Sequence, residues 1–191
     1  MALITTKIDT ISHSALPSGS VLGAYSVSSS TGTTYSNSTG NVLLTKTITT
    51  KRANSTFLVN VSFCQGVGGG NTANLDSYDH HFYITMTPAG GATTYLDGNP
   101  GCTRTTGGAP ANGKIYSTDV PFGPSRDWTY GNNHDVFFRS MNSTNSPSYA
   151  AGVNVTFTLL SWAQADVHIN RCQAGVSSGG ASGMHIMEIA A

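Results

Sequence analysis

The chain has 191 residues and a mass of 19.9 kDa, and its nine Lys+Arg balance nine Asp+Glu at a pI of about 7.0, so it has no basic field to neutralise a row of phosphates or an anionic membrane. Charged residues make up 9% of it, against about 25% in a typical soluble domain, which leaves a surface of hydroxyls and amides and excludes nucleic acid as an expected partner. A hydrophobic fraction of 38% suffices for one core at this length, and a weakly charged surface offers little repulsion between copies, which favours self-association.

Cys64, Cys102 and Cys172 are odd in number and lack CxxC spacing. They are too sparse for a disulfide framework, and a buried thiol is the plain reading of Cys64 in an apolar strand. The opening Met1-Ala-Leu-Ile-Thr-Thr-Lys-Ile-Asp-Thr-Ile11 has no basic stretch followed by a long apolar run. Nothing reaches the roughly 18 apolar residues of a membrane span, so folding in a cytosol without membrane insertion is expected, and triplets such as Asn54-Ser-Thr56 are products of composition.

Ile4, Ile8 and Ile11 have helical spacing, but Thr5, Thr6, Thr10 and the break at Leu16-Pro-Ser-Gly19 leave a marginal helix. Residues 1–19 therefore read as an N-terminal arm that docks on a neighbour. Ser20 to Ser28 alternates through Val21, Gly23, Tyr25 and Val27 and predicts a first strand, followed by a polar run to Asn41 that marks a turn or loose edge. Val42 to Thr49 predicts a second strand. Thr56 to Gln65 carries Phe57, Val59, Val61 and Phe63 on one face, the period-2 pattern of a half-buried strand, and is closed by Gly66 to Asn71. It offers the largest apolar face in the chain.

His81 to Thr87 follows, with Phe82, Ile84 and Met86 inward, then a turn at Pro88-Ala-Gly-Gly91 and a short return over Ala92 to Leu96. From Asp97 to His134 the residues are rich in Gly, Pro, Asn and Thr, and only Lys114 to Val120 has the makings of a strand. Loops longer than about 12–15 residues usually carry function. Asp135 to Ser140, Val153 to Leu159, Asp166 to Arg171 and Met184 to Ile189 complete the set. The expected fold is all-β, an antiparallel β-sandwich of jelly-roll-like form, with residues 20–191 as the sandwich domain. Its core is expected to take Phe57, Val59, Val61, Phe63, Val155, Phe157, Leu159, Ile186 and Ile189.

Gly175-Val-Ser-Ser-Gly179 matches the G-x-S-x-G elbow, but that motif needs a strand before it and a helix after it, and Gly180-Ala-Ser-Gly183 follows instead. Asp76, Asp79, His80 and His81 are the densest set of metal-ligand types. Adjacent histidines on a strand point to opposite faces, and His134, His168 and His185 are isolated, so no metal, cofactor or catalytic residue is assigned. Asp97, Asp119, Asp127 and Asp135 are available carboxylates, without a spacing that predicts the roughly 5–9.5 Å separation glycoside hydrolysis requires. Trp128 and Tyr130, with Arg126, Asn132, Asn133 and Tyr116, place aromatic faces among amides, as neutral sugars require. The plain alternative is that these aromatics anchor the loop on its own domain.

Ala15-Leu-Pro-Ser-Gly-Ser-Val-Leu22 and Ser182-Gly-Met-His-Ile-Met-Glu-Ile-Ala190, with the turns at Leu96-Asp-Gly to Arg104-Thr-Thr-Gly-Gly and Val167-His-Ile-Asn-Arg171, resemble a family of virion structural proteins of tailed phages, notably cyanophages. The resemblance implies a non-enzymatic, oligomeric subunit of a tail fibre or capsid-surface appendage, a homotrimer by the habit of phage fibres. It also implies a virion location after assembly in the host cytoplasm and other virion proteins as partners; contact with a host surface glycan is the expectation from Trp128, Tyr130 and their neighbours, a segment the resemblance does not fix. Two alternatives stand beside it: a capsid decoration protein of cement or head-fibre type, and a glycan-active enzyme, which would need a carboxylate pair or a triad.

Overall fold

The computed structural model describes residues 12–35, 38–62, 65–67, 78–95, 114–120, 136–137, 149–163, 167–170 and 180–191. The described chain is strand and turn, with a single 3₁₀ turn at His13–Ala15, so the protein is all-β as the alternation predicts. Its strands are β1 (Val21–Ser29), β2 (Thr33–Tyr35), β3 (Ser38–Thr49), β4 (Thr56–Ser62), β5 (Gln65–Val67), β6 (Tyr78–Pro88), β7 (Thr94–Tyr95), β8 (Lys114–Val120), β9 (Val136–Phe137), β10 (Asn154–Ala163), β11 (Val167–Ile169) and β12 (Ser182–Ile189). They form a four-stranded sheet in the order β1-β12-β4-β9, a five-stranded sheet β3-β10-β6-β7 in which β8 also pairs with β6, and a small sheet β2-β11-β5. Every pairing is antiparallel.

The two larger sheets share one core. Phe57, Val59 and Val61 of β4 and Met184 and Ile186 of β12 come from one sheet; Leu44, Ile48, Ile84, Met86, Val155, Phe157 and Leu159 come from the other. Alternation explains which residues enter, because successive side chains of a strand leave on opposite faces. The rings of Phe57 and Phe157 meet edge-on, with centroids 5.0 Å apart and planes at 70°, a favourable aromatic geometry that ties the two sheets together.

Ile189, expected in the core, is only partly buried, and Glu188 is buried in its place; Ile186 and Ile189 are three apart and cannot share a strand face. The alternation through Val21, Gly23, Tyr25 and Val27 is broken at its start, because the β1–β12 register shifts between Val21 and Gly23: Leu22 is buried and Val21 is 57% exposed. Gly66 and Val67, expected in the closing turn, continue from Gln65 as β5, because β11 supplies a partner. The polar run before Asn41 is largely strand too, in β2 and the start of β3. Phe63, Phe138, the three cysteines and residues 1–11 lie outside the described residues.

The registers define two ends. At one end lie the β3–β4 connection, the β6–β7 turn with Gly90 at φ 73°, and the approach to β10 with Gly152 at φ 79°. At the other lie Ser29, Ser62 and Ser182, together with the stretch of β6 that pairs with β8.

Candidate functional site

Trp128, Tyr130, Arg126, Asn132 and Asn133 lie outside the described residues. Tyr116 falls on β8, opposite Phe82 of β6, so part of the Asp97 to His134 segment is committed to the five-stranded sheet. The same pairing sets Asp79 and Asp119 in register with each other. His80 and His81 stand opposite Ala163 and Trp162 of β10. Among the described residues, no group of three or more His, Cys, Asp and Glu is gathered, and no helix is long and apolar enough to cross a membrane. Ser177, His134, Asp97, Asp127 and Asp135 lie outside the described residues.

The most developed polar arrangement is one the sequence reading missed. Glu188 shares the inner face of β12 with Met184 and Ile186 and is fully buried. Its Oε1 accepts hydrogen bonds from the backbone N–H of Lys51 at 2.8 Å, the N–H of Arg52 at 3.2 Å and the hydroxyl of Ser55 at 2.8 Å. Successive backbone N–H groups converging on one oxygen are a common way for a turn to hold an anionic group. The Arg52 guanidinium is used elsewhere, donating to the carbonyl of Leu16.

Two tyrosines lie within electrostatic reach of this carboxyl. Tyr149 donates its hydroxyl proton to the carbonyl of Ser55, and its ring packs against Phe57. Burial, reinforced by the charge of Glu188, pushes its pKa well above the ordinary tyrosine value, against a smaller opposing effect of the Ser55 bond. Tyr25 is raised as well, by burial first and Glu188 second. Gly23 stands opposite Glu188 in the β1–β12 register, and a Cβ there would meet the Tyr25 hydroxyl at 2.6 Å. The missing side chain is what lets the Tyr25 ring lie along the strand. Tyr25 Oη and Glu188 Oε2 are both buried without a hydrogen-bond partner.

The surrounding turn is pinned from other directions. Asn54 adopts a positive φ of 53°, a conformation asparagine tolerates, donates its N–H to the Tyr149 carbonyl and accepts from the Tyr149 N–H through Oδ1. Thr50 Oγ1 joins the same strap through Ala150 and Val153. A sealed carboxyl whose described partners are two N–H groups and a hydroxyl leaves no approach for a substrate. Its chemistry is to satisfy the donors of a turn that would otherwise be buried unpaired, at about 1–3 kcal/mol each.

A second polar knot lies at the opposite end. Asn170, buried at φ 58°, donates through Nδ2 to the carbonyl of Ser29 at 2.9 Å, and its Oδ1 accepts from Ser182 Oγ at 2.7 Å. No protein-family model matches the chain, and no curated protein matches it.

Proposed function

We propose that the protein is a non-enzymatic virion structural subunit of a tailed phage of the cyanophage kind. In this reading it works as a homotrimeric tail-fibre or appendage subunit whose two main sheets form a jelly-roll-like β-sandwich. One observation carries the reading beyond composition: three of the four segments that resemble that family converge on β12. Gly19 N–H donates to the Ala190 carbonyl and Ala190 N–H to that of Ser20, while Asn170 receives the Ser182 hydroxyl. The resemblance therefore falls on residues that fasten the framework, where a shared fold would be written. The fourth segment, Leu96 to Gly108, lies outside the described residues.

Within this reading, the loops around β8 meet the host. Trp128 and Tyr130 are the contact residues, with Arg126, Asn132, Asn133 and Tyr116 beside them, and a neutral glycan suits a surface of hydroxyls and amides. Many copies on one virion raise avidity by roughly 10²–10⁴ without new contacts.

Electron microscopy of immunogold-labelled virions tests the location. Label on a tail or appendage supports the proposal, label spread over the head moves the capsid decoration reading ahead, and virions without label overturn both. In labelled virions, the double substitution Trp128→Ala and Tyr130→Ala is expected to lower binding to host cells or extracted polysaccharide at least about tenfold, as loss of two aromatic contacts implies. Undiminished binding assigns those rings to packing.

A further inference from the structure

The outer edge of β1 is built to take another strand. Among the described residues β1 pairs only with β12 and is the terminal strand of its sheet. Its sequence, Val-Leu-Gly-Ala-Tyr-Ser-Val-Ser-Ser, has no charge and no proline, although charges, prolines and short length are the usual protection of an exposed edge. The register shift near Leu22 disturbs only its first residues, so Gly23 to Ser28 is a regular ladder. On the same flank lies β3, the terminal strand of the other main sheet. It is interrupted by two register shifts and carries Lys46, whereas β1 has one shift, at its start, and no charge.

We propose that residues 1–11 of a neighbouring copy add to this edge as an antiparallel strand, an inference that rests on the oligomeric reading above. Six of those eleven residues, Ile4, Thr5, Thr6, Ile8, Thr10 and Ile11, are β-branched, the types that suit a strand. At about 3.3 Å per residue the segment spans about 36 Å, enough to cover the nine residues of β1. It is anchored where β1 starts, through Leu16 bonded to Arg52 and Gly19 and Ser20 bonded to Ala190. Passing a strand from each copy to the next is a heterologous contact, which closes into a ring, a threefold one included, where the rotation between copies closes. Backbone hydrogen bonds supply the affinity in such strand addition.

Light scattering and amide hydrogen exchange on three chains test this: the full chain, one lacking residues 1–11, and a full-length Ser26→Lys/Ser28→Lys variant that charges the edge. The full chain is expected to be oligomeric with protected β1 amides. The shortened chain is expected to be monomeric, with β1 amides exchanging roughly 100-fold faster while β4 and β12 stay protected, which is the mark of a local change in a folded body. The edge variant is expected to dissociate likewise. An oligomer that survives both changes with β1 exchange unaltered overturns strand donation and leaves the oligomeric reading standing. Loss of the oligomer with β1 exchange unaltered places the arm elsewhere and also overturns it. A monomeric full chain whose β1 is protected only when residues 1–11 are present means donation within one molecule, and overturns both readings.

Discussion

Glu188 is where a single residue departs furthest from what its type suggests. A carboxyl on the inner face of β12 is tolerated because Lys51, Arg52 and Ser55, more than 130 positions earlier in the chain, aim two N–H groups and a hydroxyl at one of its oxygens. Glu188→Ala strands those donors and is expected to lower stability by roughly 3–5 kcal/mol. Glu188→Gln keeps the accepting oxygen and is expected to cost less than about 1.5 kcal/mol. Urea unfolding of both variants decides between an acceptor and a charge: equal losses would show that the charge, rather than the acceptor geometry, holds the turn. Asn54 and Asn170 are the other residues whose chemistry suits their place, each combining a positive φ with a side chain that bonds the backbone of a distant segment.

At the scale of elements, one extra residue decides which side chains enter the core. Between the pairs Leu44–Leu159 and Val42–Leu160, β3 carries Leu43 as the additional residue. Leu43 packs against the core and Val42 is 52% exposed. A bulge of this kind moves every later side chain to the other face, which a strict alternation cannot foresee. β4, β10 and the second half of β6 contain no such shift in their mutual facing positions, and there Phe57, Val59, Val61, Val155, Phe157, Leu159, Ile84 and Met86 are buried as their spacing predicts. Phe157→Ala is expected to cost about 3–5 kcal/mol, because it removes a fully buried ring from the contact between sheets, whereas Val42→Ala should stay within about 0.5 kcal/mol. Denaturant midpoints check the pair, and similar losses for both would mean that the Phe57–Phe157 contact does not join the sheets.

For the whole molecule, buried Tyr149 and partly buried Tyr25 link folding to alkaline pH. An unfolded tyrosine ionises near pH 10, whereas Tyr149 and, more weakly, Tyr25 hold their protons to higher pH in the folded state. A raised folded pKa contributes stability that is complete below the unfolded value and is lost as pH climbs towards the folded one. Stability is therefore expected to fall from about pH 10 upward. Tyr149→Phe should be less stable at neutral pH by about 1 kcal/mol, for the lost bond to Ser55, but should lose less between about pH 9 and about pH 11. Urea midpoints across that range measure it. A parent and a variant that decline in parallel would assign the alkaline effect to other groups.

The all-β class, the neutral hydroxyl-rich composition, the turn at Pro88 to Gly91, the strand at Lys114 to Val120 and the inward faces of β4 and β10 were legible in the residues alone. Those are local properties, carried by period-2 spacing and by turn residues within a few positions of one another. Pairing between distant segments sets β12 between β1 and β4, buries Leu22 and turns Leu43 against the core while Val21 and Val42 stay exposed, and buries Glu188. The spacing of Met184, Ile186 and Glu188 already placed the glutamate on the inner face. Its donors, however, are brought to it by pairing between distant strands, and no pattern local to β12 contains them.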